Sequence, residues 1–171
     1  MEHELSDAPD APVIEWSTAG GLGDSGGGAA DLVVRSDGQV EIGERFGGGR
    51  RLTGRIAPSE LQGLLGAALD THGFFELDDA AIDEAVGEVR SRRAAEAPED
   101  GVAAVGLGPP YPDAGTSRIM IAADGRRHEV CRHALFASAR EYPEVEALGN
   151  LRAIEERLLS LAEEIARAQG G

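Results

Sequence analysis

The chain has 171 residues and a formal net charge of −15, all 16 of its basic residues are arginine, and aromatic residues make up 4%. Such a chain repels nucleic-acid phosphates and anionic membrane surfaces, and it has no lysine for Schiff-base chemistry or for a phosphate-binding loop. Cys131 is the single cysteine, which excludes an intrachain disulfide and a cysteine-rich zinc site.

Residues 1–11 are acidic and punctuated by proline, and are expected to be disordered ahead of one α+β domain over 12–171. They include no basic n-region and no apolar h-region, and the chain holds no long apolar run, so a cytoplasmic location without a membrane span is expected. An envelope location is the alternative if a leader has been removed. Val13-Ile14-Glu15-Trp16 reads as a short strand anchored by Trp16, and Gly20–Gly28 as a flexible loop.

Asp31–Gly43 reads as a first hairpin. A three-residue turn Ser36-Asp37-Gly38, with Gly38 left-handed, sets Val34 against Val40 and Leu32 against Ile42 on one apolar face. Gly47-Gly48-Gly49 is a bend, and Arg51–Ile56 a third strand. Pro58 suits the first helical position, with Glu60 in the first turn. Leu61, Leu64, Leu65, Ala68 and Leu69 form the stripe of a helix lying on a sheet. Gly73 is the expected C-terminal cap, and Phe74, Phe75 and Leu77 are expected to fill the space between helix and sheet.

Residues 78–115 read as an insertion: a second helix with Ile82, Ala85, Val86 and Val89 at helical spacing, then a Gly/Pro-rich connector over 96–115. Thr116–His133 forms a second hairpin. Here a two-residue Asp124-Gly125 turn puts Ile119, Ile121, His128 and Val130 on one face. Residues 134–142 are a connector, and Pro143–Ala168 a long helix. Its residues Ala147, Leu151, Ile154, Leu158, Leu161, Ile165 and Ala168 follow a heptad seam, which Leu148, Leu159 and Ala162 widen into a stripe better suited to a sheet than to a bare dimer seam. The expected fold is α+β: a mostly antiparallel sheet of about five or six strands with two main helices on one face and a helical insertion.

Several strings imitate catalytic signatures. Gly23-Asp24-Ser25-Gly26-Gly27 matches the nucleophile string of trypsin-like proteases, but too little chain precedes it for the rest of a triad. Gly21–Gly26 fits a dinucleotide-binding pattern, yet a strand rather than a helix follows. His128, Cys131 and His133 suggest a metal site, but strand alternation puts His128 on the face opposite the other two. Asp78, Asp79, Asp83 and Glu84 sit where a helix start favours acids and lack a calcium-loop spacing. No catalytic residue, metal or cofactor is therefore assigned.

The most suggestive cluster is Arg35, Arg45, Arg50, Arg51 and Arg55. An open outer sheet face would let these arginines take a small anionic ligand or an acidic protein partner. Pairing with the acidic stretch 76–100 is the simpler expectation. Nucleic acid is not expected, because the strands lack an aromatic stacking pair.

One arrangement has a familiar outline. A Gly-rich loop and an Asp-Gly hairpin lead to Gly54, Ile56, Pro58, Glu60 and Leu61, then to Gly73-Phe74-Phe75-Glu76-Leu77, a second Asp-Gly hairpin and a C-terminal helix. Over 30–77 and 116–166 this resembles a loose group of small bacterial α+β domains, often found in secreted or lipid-anchored proteins. The resemblance implies a fold and no catalytic residues. The functional expectation is a non-enzymatic binding or interaction module. The alternatives are an enzyme or metal-binding protein using Cys131 and His133 or the acidic insertion, and an oligomerisation module, a homodimer for instance, through the C-terminal helix.

Overall fold

The computed structural model describes residues 2–20, 30–96 and 114–169. The glycine strings within 21–29 and most of the Gly/Pro-rich connector, 97–113, lie outside the described residues. The fold is α+β, as expected. Six antiparallel strands form one sheet in the order β4-β3-β2-β1-β5-β6. They are β1 (Pro12–Ala19), β2 (Leu32–Arg35), β3 (Gln39–Ile42), β4 (Leu52–Arg55), β5 (Thr116–Ala123) and β6 (Arg126–His133). The helices are α1 (Pro58–Leu65), α2 (Asp79–Glu96), α3 (Leu135–Glu141) and α4 (Glu146–Gln169).

The strand expected only over 13–16 is eight residues long and sits at the centre of the sheet. Ser17 and Thr18 look like loop residues by composition, but their backbones pair with Arg118 and Ser117. On its other side β1 pairs Ile14 with Val34 and Trp16 with Leu32, with a bulge between Pro12 and Ile14. The inner face therefore carries two cross-strand rows. One runs Ile42, Leu32, Trp16, Ile119, Val130; the other runs Val40, Val34, Ile14, Ile121, His128. The apolar members of both rows are buried and belong to one hydrophobic cluster.

Both hairpins turn as their side-chain patterns require. In the first, Leu32 faces Ile42 and Val34 faces Val40 around Gly38 at φ 81°. In the second, Ile121 faces His128 and Ile119 faces Val130 around Asp124 and Gly125, both at positive φ. A two-residue turn with two left-handed residues matches the twist of the strands it joins.

Helix α1 starts at Pro58, and the Glu60 carboxylate turns back to accept the Ala57 N–H at 3.1 Å. The helix then widens into a π-helical stretch, Gly66–Thr71, and ends before left-handed Gly73. Phe74 is fully buried and Leu77 nearly so. Phe75, expected beside them, is half-buried and packs against the same cluster, with the Arg126 guanidinium 4.4 Å from its ring centre. The short 3-10 turn Phe74–Glu76 sends adjacent side chains in different directions, so Phe74 enters the core and Phe75 lies at its rim.

α1 and α4 both cover the inner face. Ile14 and Ile121 of the sheet meet Leu64 and Ala68 on one side, and Ile154 and Leu158 on the other, around a void of about 10 Å³. The α4 stripe is thus spent on the sheet, with Leu148, Leu151, Ile154, Leu158 and Leu161 buried. The approach of α4 to β4 requires Gly54, where a β-carbon would stand 2.7 Å from Ile165 Cγ2. α2 lies along β6 and sends Ile82, Val86 and Val89 into the same cluster.

The C-terminal region departs from expectation in two places. α3 occupies the stretch read as a connector, and α4 begins at Glu146 rather than Pro143. α3 follows a left-handed Ala134 and has no side-chain cap, so no sequence signal marks its start. Between the two helices, buried Tyr142 accepts a hydrogen bond from Arg90 Nε at 2.7 Å.

The two left-handed turn glycines differ in surroundings. A β-carbon at Gly38 would lie 2.5 Å from the Ile56 carbonyl oxygen, whereas one at Gly125 would meet nothing within 4 Å. Gly125→Ala is expected to cost about 1 kcal/mol of backbone strain, and Gly38→Ala about 2–4 kcal/mol because a backbone clash adds to it. Urea unfolding midpoints of the two variants check this; equal losses would show that the clash relaxes freely.

Candidate functional site

All candidate arginines belong to the β2–β4 end of the sheet, but the structure divides them. Arg35 and Arg55 follow the strand alternation onto the face opposite the helices. Each is paired with an acid of the β2–β3 hairpin. Arg35 Nη2 lies 2.8 Å from Glu41 Oε1, and Arg55 Nη2 lies 2.9 Å from Asp37 Oδ2. Arg45 turns away to the other end of the strands, where it donates to Thr18 Oγ1 and its guanidinium lies 5.7 Å from the Phe46 ring centre. Arg50 and Arg51 are exposed, and no ion pair holds either among the described residues.

Among the described residues, the expected pairing of this cluster with the acidic stretch 76–100 does not form: acids of its described part meet the opposite edge of the sheet. Asp83 lies 2.7 Å from Arg132, Glu76 3.4 Å from Arg126, and Asp79 Oδ2 accepts the Cys131 N–H at 3.0 Å. Asp78 caps α2 by accepting the Ala81 N–H at 2.9 Å. These acids therefore have structural partners, and α2 meets the edge strand β6 at its start. The physical reason is topological: the insertion joins β6's side of the sheet, five strands away from β4.

β4, the other edge, is flanked by β3 alone among the described residues. Thr53 and Arg55 are exposed, and Arg51 immediately precedes the strand. The charge of the outer face is mixed. Arg118 Nη2 lies 2.6 Å from Glu129 Oε2, and Arg118 and the Cys131 thiol hold the Glu129 carboxyl below its usual range, the arginine contributing most. Met120, paired with Glu15 and Glu129, is fully buried there although it lies outside the main hydrophobic cluster.

Cys131 and His133 share the outer face of β6, while His128 points inward, its ring 5.5 Å from that of Phe74 and its Nε2 2.6 Å from the Leu77 carbonyl oxygen. The three do not converge, and no cluster of three metal-ligating side chains occurs among the described residues. Burial of the sulfur, then the Glu129 carboxylate beside it, push the Cys131 thiol above its ordinary range. A thiol so placed is mostly protonated near neutral pH and is a weak nucleophile.

One group that the sequence did not single out is His3. The acidic start takes no helix or strand, yet it is held at named points. The Gln62 side chain brackets His3, accepting its N–H at 2.7 Å and donating to its carbonyl at 2.9 Å. His3 Nδ1 lies 2.8 Å from Asp124 Oδ2, and Asp70 Oδ2 is 3.4 Å from Nε2. Glu4 exchanges two further bonds with Asp124, its N–H to the carboxylate and its carbonyl to the Asp124 N–H. No local pattern announces a contact between residues so far apart in sequence. Beside this clasp is a cleft of about 720 Å³ lined by Glu2, Asp37, Ser59 and Gln62 among others. Its charged groups are acidic, so it does not complete an anion site with the arginines.

Comparison of the chain with protein-family models, with curated proteins and with solved structures found no match. No helix among the described residues is long and apolar enough to cross a membrane.

The His3 bond, and next the Glu4 N–H, hold the Asp124 carboxyl below the usual carboxylate range. A carboxyl with a lower pKa folded than unfolded adds stability that is complete above the unfolded value, near 4, and is lost as pH falls through the folded value. Asp124→Asn is therefore expected to lower the urea midpoint at neutral pH, with the difference from the parent shrinking between about pH 5 and pH 2. A difference constant with pH would mean that the clasp does not depend on the charge of Asp124.

Proposed function

We propose that this protein is a non-enzymatic interaction module that engages an acidic protein partner through the arginines at its β4 edge. The observation that carries this reading is the pair Arg50 and Arg51: exposed, without an ion pair among the described residues, and beside the uncovered edge of the sheet. On a chain of net charge −15, unneutralised arginines at one end form a local field opposite in sign to the whole. Arginine is suited to such a role because its planar guanidinium binds carboxylates in two-point fashion.

An acidic protein segment fits better than nucleic acid. The outward strand positions carry no Phe, Tyr or Trp on which bases stack, and the overall charge opposes a polyphosphate. An enzyme built on Cys131 is disfavoured by its raised thiol pKa and by His128 facing away from it. An oligomer through the α4 seam would have to detach Leu151, Ile154 and Leu158 from the core.

Charge neutralisation tests the proposal. The Arg50→Gln/Arg51→Gln double variant is expected to bind a fluorescein-labelled acidic peptide about tenfold more weakly than the parent, and both affinities are expected to fall with added salt. Fluorescence anisotropy reads the affinity. Equal binding by parent and double variant, or no binding by either, would refute the reading.

A further inference from the structure

We propose that β4 takes up an extended acidic segment of a partner protein as an additional antiparallel strand. The inference deepens the function proposed above and rests on it.

The ladder sets which backbone groups are free. The Ile56 N–H donates to the Gly38 carbonyl at 2.9 Å, and Gly54 and Leu52 stand opposite Val40 and Ile42 in the same phase. Bonded and non-bonded pairs alternate in an antiparallel ladder, so residues 52, 54 and 56 turn their N–H and C=O toward β3. Thr53 and Arg55 turn theirs away from the sheet. Among the described residues, the one filled group on that side is the Thr53 carbonyl, which accepts the side-chain amide of Gln169 at the end of α4. A side chain that occupies a single acceptor is a displaceable cover. At the other edge the chain supplies its own partner at the start of α2, where Asp79 takes the Cys131 N–H. An edge with unpaired backbone groups is a template for strand addition.

The side chains around β4 select the occupant. Alternation puts Arg51, Thr53 and Arg55 on the outer face, with the two arginines about 13 Å apart. Leu52 and Gly54 face inward, next to Ile165. A strand laid antiparallel with its central residue opposite Thr53 therefore suits an acid two positions to one side, facing Arg51, unpaired among the described residues, and a second acid facing Arg55, where it shares the guanidinium with Asp37. It needs small apolar residues between them, facing Leu52 and Gly54. A second copy of this chain fails that requirement. Pairing β4 with itself about Thr53 sets Arg51 opposite Arg55 twice, and like charges directly opposed are destabilising.

The probe is a fluorescein-labelled peptide with the core Glu-Val-Thr-Val-Glu, titrated against the full chain by anisotropy. The proposal expects saturable binding. Methylating the central threonine amide of the peptide, or making Thr53→Pro in the protein, is expected to weaken it about tenfold or more, since each removes a backbone bond of the new ladder. Proline is tolerated where an edge N–H faces outward, and a cooperative urea transition for Thr53→Pro would confirm that the variant is folded. Gln169→Ala is expected to tighten binding about twofold to threefold by freeing the Thr53 carbonyl.

The arms separate the two readings. If the methylated peptide binds as well as the parent while Arg50→Gln/Arg51→Gln still weakens binding, strand addition is overturned and the acidic-partner reading stands. If neither the parent nor the methylated peptide binds, both fall. A concentration-dependent dimer in sedimentation equilibrium that Thr53→Pro dissolves would assign the edge to a second copy and overturn the proposal.

Discussion

The two cross-strand rows that pass through β1 are the constraint on which the rest of the structure depends. Ile14 and Trp16 each meet one hairpin on one side and the other hairpin on the other. Remove that strand and the sheet falls into two separate pieces, each with an apolar face and nothing to complete it. With β1 in place the inner face is continuous from β4 to β6, wide enough for α1 and α4 to lie over it together. Trp16 also anchors polar order at the end of the strand: its Nε1–H donates to buried Ser117 at 3.2 Å, and its ring packs against Phe46. A buried indole needs such a partner, because an unmet N–H in the core would cost on the order of 1–3 kcal/mol.

The helix-covered face settles the architecture, and the edges settle what the surface is able to do. At β6, acids from the 76–83 stretch meet Arg126, Arg132 and the Cys131 N–H. At β4 the backbone groups remain outward, and the nearest charges are arginines. One edge is consumed by the chain itself and the other is left with charge and hydrogen-bonding capacity unspent. The Asp37–Arg55 and Glu41–Arg35 pairs fit this division, since acids of the first hairpin neutralise Arg35 and Arg55 and leave Arg50 and Arg51 as the exposed positive charges next to the edge.

Much of the fold was legible where a local rule acted. Gly38 and the Asp124-Gly125 pair determined two different turns, because side-chain parity across each hairpin permits only one loop length. Pro58 and Glu60 marked the start of α1, and the wide stripe of α4 indicated a sheet as its partner. The candidate site was legible as a list of arginines and no further. Which of them are neutralised depends on Asp37 and Glu41 coming alongside, and on Glu76, Asp79 and Asp83 being carried to the far edge. Neither could be read from composition. α3 was missed because it has no cap, and a single 3-10 turn decides that Phe74 is fully buried while Phe75 packs at the rim of the core.

The amino-acid sequence alone therefore determined the elements whose signals are local: two hairpins with their registers, the amphipathic faces of α1 and α4, and an aliphatic core with little aromatic content. Tertiary structure decided the rest. It lengthened β1 and placed it centrally, since its polar end residues become strand only when β5 supplies partners. It buried His3 between Asp70 and Asp124, a contact across more than a hundred residues for Asp124 that no periodicity encodes. It also chose which edge of the sheet to close, because edge identity is a property of strand order, and strand order is set by long-range pairing rather than by any segment of the chain.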